Sequence, residues 1–138
     1  MKQAQRRIVV NTSGAGLFEI TDLVRRWVSE QSVPTGLLTV FCCHTSASLL
    51  IQENADPDVH TDLLTFFSDL APRMREWVHQ TEGPDDMPAH VRSALTQSSL
   101  SIPIATGRLA LGRWQGIYLF EHRDAPHRRE IMLHIIGE

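Results

Sequence analysis

Cysteine is nearly absent from this chain. The only two, Cys42 and Cys43, sit side by side in LLTVFCCHTS. Neighbours on a strand point to opposite faces, so the pair is a poor structural disulfide, and a reduced, cytoplasmic protein is expected. A vicinal redox pair and two small core residues are both compatible with the doublet. Long hydrophobic runs are missing too: the longest is about seven residues, against the roughly 20 needed to cross a bilayer. The opening MKQAQRRIVVNTSG carries basic residues with no apolar stretch behind them, so no signal peptide is expected. Positive charge is in slight deficit, with 13 Lys plus Arg against 16 Asp plus Glu. That balance argues against a nucleic-acid or anionic-membrane partner. Lysine is the scarcest cation, Lys2 alone, and the other 12 are Arg. Guanidinium groups grip carboxylates and phosphates with two prongs, so the bias suits anion binding; it equally suits the codon use of a GC-rich genome.

What is present is an ordinary globular composition, 42% apolar and 21% charged over 138 residues, enough for one domain with its own core. Gln5 to Thr12 reads as a strand around Ile8-Val9-Val10, and Gly14 and Gly16 mark a turn. A helix capped by Thr21 or Asp22 and running to about Gln31 is expected from the i, i+4 pairs Leu23/Trp27 and Val24/Val28, and Pro34-Thr35-Gly36 breaks it. Leu37–Cys43 and Ala47–Gln52 are apolar runs of strand length. Asp56-Pro57 is a helix start, a capping side chain followed by Pro at the first helical position. Val59, Leu63, Phe66, Phe67 and Leu70 then give a 3.6-residue stripe. Pro88–Leu95 suits a short helix. The remainder reads as β: Leu100–Ile104, a Thr106-Gly107 turn, Arg108–Leu111, Trp114–His122 and Arg128–Ile136. The expected class is α+β, a single domain over residues 1–138. Its core is a largely antiparallel, sandwich-like sheet with two to three helices.

Four clusters could carry chemistry. In His44-Thr45-Ser46-Ala47-Ser48 an imidazole and three hydroxyls lie between two apolar strands. Hydroxyls and backbone N–H groups there could hold phosphate oxygens, and the imidazole could bind a metal or move a proton. Continuous extension would place His44, Ser46 and Ser48 on one side; an ST-rich turn with a satisfied His is the plain alternative. In Glu53-Asn54-Ala55-Asp56-Pro57, Asp56 is explained as a cap, whereas Glu53 and Asn54 have no such role and, as polar residues at a strand end, are candidates to line a site. In VHQTEGPDDMPAH, His79 and His90 flank Glu82, Asp85 and Asp86 and could supply metal ligands; a solvated acidic loop is the other reading. On Trp114–His122, Gln115, Ile117, Leu119 and Glu121 share one face. A carboxylate at the end of an apolar row is costly to bury unless paired or ligating, and Arg128 or Arg129 across the hairpin could pair it. His60, His122, His127 and His134 are given no role.

Taken together, HTSASLLIQENADPDV, VHQTEGPDDMPAHVRSAL, SIPIATGRLALGRWQGIYLFEHRD and RREIMLHIIG resemble the YjbQ family, UPF0047, in its own order. The N-terminal third is similar only through its strand, glycine turn and EITDLV segment. The resemblance implies α+β subunits with a sandwich-like sheet core, assembled as homotrimers. It also implies secondary thiamine-phosphate synthase activity, which joins hydroxymethylpyrimidine diphosphate to a thiazole phosphate and releases pyrophosphate. Carried over by position, it implies His44, His79 and His90 as ligands of a divalent metal (Zn, Mg or another). Thr45, Ser46, Ser48, Asn54 and Gln115 would contact a small phosphorylated metabolite, and His44, Glu53, His90 and Glu121 would be the catalytic set. Trp77 stands where the family's pattern has Tyr, and Cys42-Cys43 replaces aliphatic or small residues. The alternatives to a synthase are a metal-dependent hydrolase of a small phosphorylated or acyl substrate and a non-catalytic phosphometabolite-binding module.

Overall fold

Every second side chain of the last strand is buried: Arg129, Ile131, Leu133 and Ile135. That alternation is the period of a strand with one face on the core. The computed structural model describes Met1–Glu138 and shows where this strand sits. In chain order the elements are β1 (Lys2–Thr12), β2 (Gly16–Glu19), α1 (Thr21–Glu30), β3 (Thr35–Cys42), β4 (Ala47–Glu53) and α2 (Pro57–Leu70). Then come α3 (Asp86–Leu95), β5 (Ser99–Ala105), β6 (Arg108–Leu109), β7 (Gln115–Glu121) and β8 (His127–Gly137). All pairings are antiparallel, in a five-stranded sheet of order β1-β8-β3-β5-β6 and a three-stranded sheet of order β2-β7-β4. The expected α+β architecture, with three helices, is the one observed.

The large sheet sends Leu38, Val40, Leu100, Ile102, Ile131, Leu133 and Ile135 inward to meet Leu49, Ile117 and Leu119 of the small sheet. Both faces of β7 are covered. Its opposite face carries Tyr118 and Phe120 into the helical layer, where His60 meets Tyr118 edge-on at 4.8 Å and Phe67 meets Phe120 at 5.4 Å. The result is three layers: large sheet, small sheet, helices α2 and α3. No helix is long and apolar enough to cross a membrane.

Several local expectations shift. α1 has no side-chain cap; Thr21 instead donates to the Glu19 carboxylate at 2.8 Å and accepts from the Ile117 N–H at 2.8 Å, tying the helix to β7. Asp56 does cap α2, accepting from the Asp58 N–H at 2.9 Å. The α2 stripe is only half used: Val59, Leu63 and Phe67 are partly covered, while Phe66 is 58% and Leu70 47% exposed. α3 begins at Asp86, two residues before the expected Pro88. The short strand β2 lies where only a glycine turn was expected. Cys42 is buried and Cys43 exposed, as opposite strand faces require, and both are free.

Candidate metal centre

α3 brings the decisive groups together. Asp86 opens the helix and His90 follows one turn later, so the two side chains share a face. The loop before the helix returns His79 to the same point. His79 Nε2 lies 2.6 Å and His90 Nε2 3.1 Å from one oxygen, Asp86 Oδ2. The three ligand-type atoms lie within 4.8 Å of one another. Asp86 is 2% exposed, whereas the His79 and His90 side chains are 39% and 32% exposed, so the cluster has a buried base and an open mouth. Burial alone would raise the Asp86 carboxyl. The hydrogen bond from His79 and the Arg123 charge outweigh it and hold the group below the usual carboxylate value. Arg123 fixes the base, donating to Asp86 Oδ1 at 2.7 Å and to Asp85 Oδ2 at 2.9 Å.

The tautomer of His90 is legible from its far side. Its Nδ1 lies 2.9 Å from the Thr45 carbonyl, which can only accept, so Nδ1 carries a hydrogen. A neutral ring then presents a lone pair at Nε2, aimed at a carboxylate oxygen. Two acceptors meet there, and the contact is favourable only with a cation between them or a proton on the ring. An imidazole whose other nitrogen is fixed by a backbone carbonyl is the usual arrangement of a metal-binding histidine. Past His79 the surface opens into a hollow of about 630 Å³ lined by Arg75, Trp77, Gln80 and Met87.

Comparison with known proteins places the chain in a family. A family model described as UPF0047 protein YjbQ-like matches residues 6–138. The chain belongs to the YjbQ-like UPF0047 family. It is 54% identical to the UPF0047 protein sll1880 of Synechocystis over 138 residues, covering 99% of this chain and 94% of that protein. It is 42% identical to YjbQ of Salmonella typhimurium, covering 97% of this chain and 98% of that one. The crystal structure of an uncharacterized YjbQ/UPF0047 protein from Clostridium acetobutylicum superimposes with a TM-score of 0.88 at 39% identity, covering 95% of this chain and 99% of that chain.

The remaining residues carried over from the YjbQ pattern fall in separate places. His44 stands outside the His79–Asp86–His90 cluster. Its Nε2 accepts the Glu130 N–H at 2.7 Å, continuing the β3–β8 ladder where the β3 backbone turns away. Burial, then the nearby Arg129 charge, pushes His44 below its ordinary pKa and suits this acceptor role. Thr45 contributes its carbonyl to His90. Ser46 and Ser48 do not share a face, because the chain is not extended through residues 43–46. Ser46 Oγ accepts from Arg129 at 3.0 Å between the sheets, and Ser48 turns to the helical layer.

Glu121 is a core residue of the YjbQ fold here. It is fully buried and paired with Arg129, the structural partner expected across the hairpin. Oε1 accepts from Thr12 at 2.6 Å and from Arg129 Nε at 2.7 Å. Oε2 accepts from the His122 and Arg123 N–H groups and from Arg129 as well, so neither oxygen is left for a substrate. Burial raises this carboxyl, and Arg129 and Thr12 lower it further, leaving it ionised below its usual value. Glu53, Asn54 and Gln115 lie at the other end of β4 and β7, where Glu53 pairs with Gln115. Across the seven residues of β4 that is about 20 Å from Ala47. There Glu53 accepts from the Ala55 N–H, Asn54 donates to the Arg113 carbonyl, and Gln115 accepts from the Gly112 N–H.

Two features escaped the sequence. Asp86 was visible only as one of several acids, although its four-residue spacing from His90 was the available signal. His122, given no role, is 1% exposed. A chain runs from it through Ser48 (2.9 Å) and Thr96 (2.6 Å) to the Arg92 carbonyl (2.8 Å). The Thr96 hydroxyl is within reach of both the Ser48 oxygen and the Arg92 carbonyl, and Ser48 in turn meets the His122 ring at Nε2. Its Nδ1 is the buried side-chain polar atom without a partner.

Proposed function

We propose that this protein is a metal-assisted enzyme acting on a small phosphorylated substrate, with His79, Asp86 and His90 holding a divalent cation. The observation that carries the reading is the meeting of two Nε2 atoms on one oxygen of a buried carboxylate, while His90 Nδ1 is committed to the Thr45 carbonyl. Two imidazoles and a carboxylate suit Zn²⁺, Fe²⁺ or Ni²⁺ better than Mg²⁺, which prefers oxygen ligands. Such a cation would supply Lewis-acid charge to a phosphoryl group. Around it, Arg123 holds Asp86 ionised, Thr45 fixes the His90 ring, and Arg75, stacked 5.1 Å over Trp77, brings a guanidinium to the adjoining hollow.

Thiamine-phosphate synthase chemistry is the transfer form of this proposal, with a diphosphate as leaving group. Hydrolysis of a phosphate ester is the second form, favoured by Glu82, whose exposed carboxylate lies 3.7 Å from His79 Nε2 and could accept a proton from water. The test is metal content by mass spectrometry followed by Zn²⁺ and Co²⁺ titration of chelator-stripped protein. One equivalent is expected, lost in His90→Ala and Asp86→Asn. No stoichiometric uptake would end the proposal, and uptake without turnover of either substrate class would reduce it to a binding module.

We also propose a homotrimer in a reducing, cytoplasmic setting. The outward face of the large sheet supports association, since Leu37 (39% exposed), Phe41 (45%), Met132 and Ile136 share it. Light scattering should return three times 15.6 kDa.

A further inference from the structure

The arginine excess has a structural destination. Of the 12 arginines, eight are engaged. Arg7, Arg73, Arg123, Arg128 and Arg129 pair with carboxylates. Arg92 donates to the Phe67 and Ala71 carbonyls, and Arg75 and Arg113 stack on tryptophans. Four guanidinium groups remain without an ion pair, hydrogen bond or aromatic partner: Arg6, Arg25, Arg26 and Arg108. Three of these four line a single cavity of about 560 Å³ between α1 and the β5–β6 hairpin.

Their placement is not what helix electrostatics would choose. Arg26 has acids at both four-residue positions, Asp22 before it and Glu30 after it, the spacing at which ion pairs form on a helix surface. Neither pair is made, although ion pairs elsewhere in the molecule close at 2.9 Å. Nor do Arg25 and Arg26 lie in the last turn of α1, where the helix dipole would favour them. Instead they face Arg108 across the cavity, three like charges on a protein whose net charge is −3. Below them, Val28 and Leu109 are nearly fully buried and exclude water from the floor. At the rim, Gly107 leaves open space, since a Cβ built there meets nothing within 4 Å. The turn it occupies is anchored, its N–H donating to the Pro34 carbonyl at 2.9 Å.

We propose that this cavity binds a polyanion carrying two linked phosphate groups, with Arg25, Arg26 and Arg108 as its ligands. Planar guanidinium forks match phosphate oxygens two at a time, and three of them in a lining that holds no carboxylate favour an anion carrying several charges, such as a diphosphate, over a singly charged one. The site is separate from the His79–Asp86–His90 cluster. The hairpin turn joins β3 at Thr35 and the cluster lies beyond Cys42, about 24 Å away along the strand. The proposal therefore goes beyond the metal reading and does not depend on it.

The test is calorimetric titration with inorganic pyrophosphate, in EDTA so that the histidine cluster holds no metal. Wild type should bind one equivalent, more weakly as salt rises. Arg26→Ala and Arg108→Ala should each weaken binding by about tenfold or more, while His90→Ala should leave it unchanged. All three arginines are exposed, so circular dichroism should report the wild-type fold for their variants. ADP in parallel identifies the source: tighter binding than pyrophosphate marks a nucleoside diphosphate, and equal binding marks the bare pyrophosphate group. No binding by wild type, or binding that the arginine variants leave intact, overturns the proposal.

Discussion

Acidification from pH 7 to pH 5 should destabilise this protein through one buried ring. His122 is held neutral chiefly by burial, with the Arg92 charge adding to it, and its pKa falls from 6.5 to about 3. In the unfolded chain the ring regains its ordinary value and takes up a proton below pH 6.5, whereas the folded chain does not. The unfolded state therefore binds more protons between about pH 6.5 and 3. Stability is full above that window and declines through it as the pH falls. Below pH 6.5 the slope approaches about 1.4 kcal/mol per pH unit, so the step from pH 7 to 5 costs about 2 kcal/mol. The pairing fits the same picture, because Ser48 meets one ring nitrogen and the other, Nδ1, has no partner to stabilise a second proton. Stopping at pH 5 keeps the buried carboxylates out of the measurement, since Glu121 lies below its ordinary 4.5. The assay is urea unfolding at several pH values for wild type and His122→Gln, which keeps an N–H near the Nε2 position and cannot titrate. Subtracting the two removes the smaller contribution of His44, whose pKa is also lowered. A variant that loses stability as steeply as wild type would refute the reasoning, as would a nitrogen NMR shift showing His122 protonated in the folded protein at pH 5.

The buried ion pair and the β3–β8 contact make two further outcomes measurable. Arg129→Met should cost about 3–5 kcal/mol, because it strands the Glu121 carboxylate in the core, where Glu121 is 0% and Arg129 3% exposed. The double variant with Glu121→Leu should recover much of that loss, measured as urea midpoints. Gly36→Ala should destabilise by about 1–3 kcal/mol, since its Cβ would meet the Ile136 carbonyl oxygen at 2.4 Å and force β3 away from β8. Hydrogen exchange should then speed up first at the Gly36 end of that pairing.

The sequence alone determined those features whose cause is local. Apolar runs of strand length marked the strands at Leu37 and Ala47, and the Asp56-Pro57 pair set the start of α2, because run length and capping act within a few residues. It also marked His79 and His90 as candidates, and Arg128 or Arg129 as partners for Glu121. Only the tertiary structure decided which candidates meet. A break in the strand at residues 43–46 turns Ser46 and Ser48 to opposite sides and leaves His44 completing a ladder rather than joining the cluster. The length of β4 separates Glu53, Asn54 and Gln115 from the histidines. Asp86 became the centre because one helical turn aligns it with His90 and a loop of unreadable geometry returns His79 to it. The pairing of Glu121 with Arg129 and the burial of His122 depend on how the two sheets and the helical layer stack. That stacking is a sum of many distant contacts, and no short window of sequence contains it.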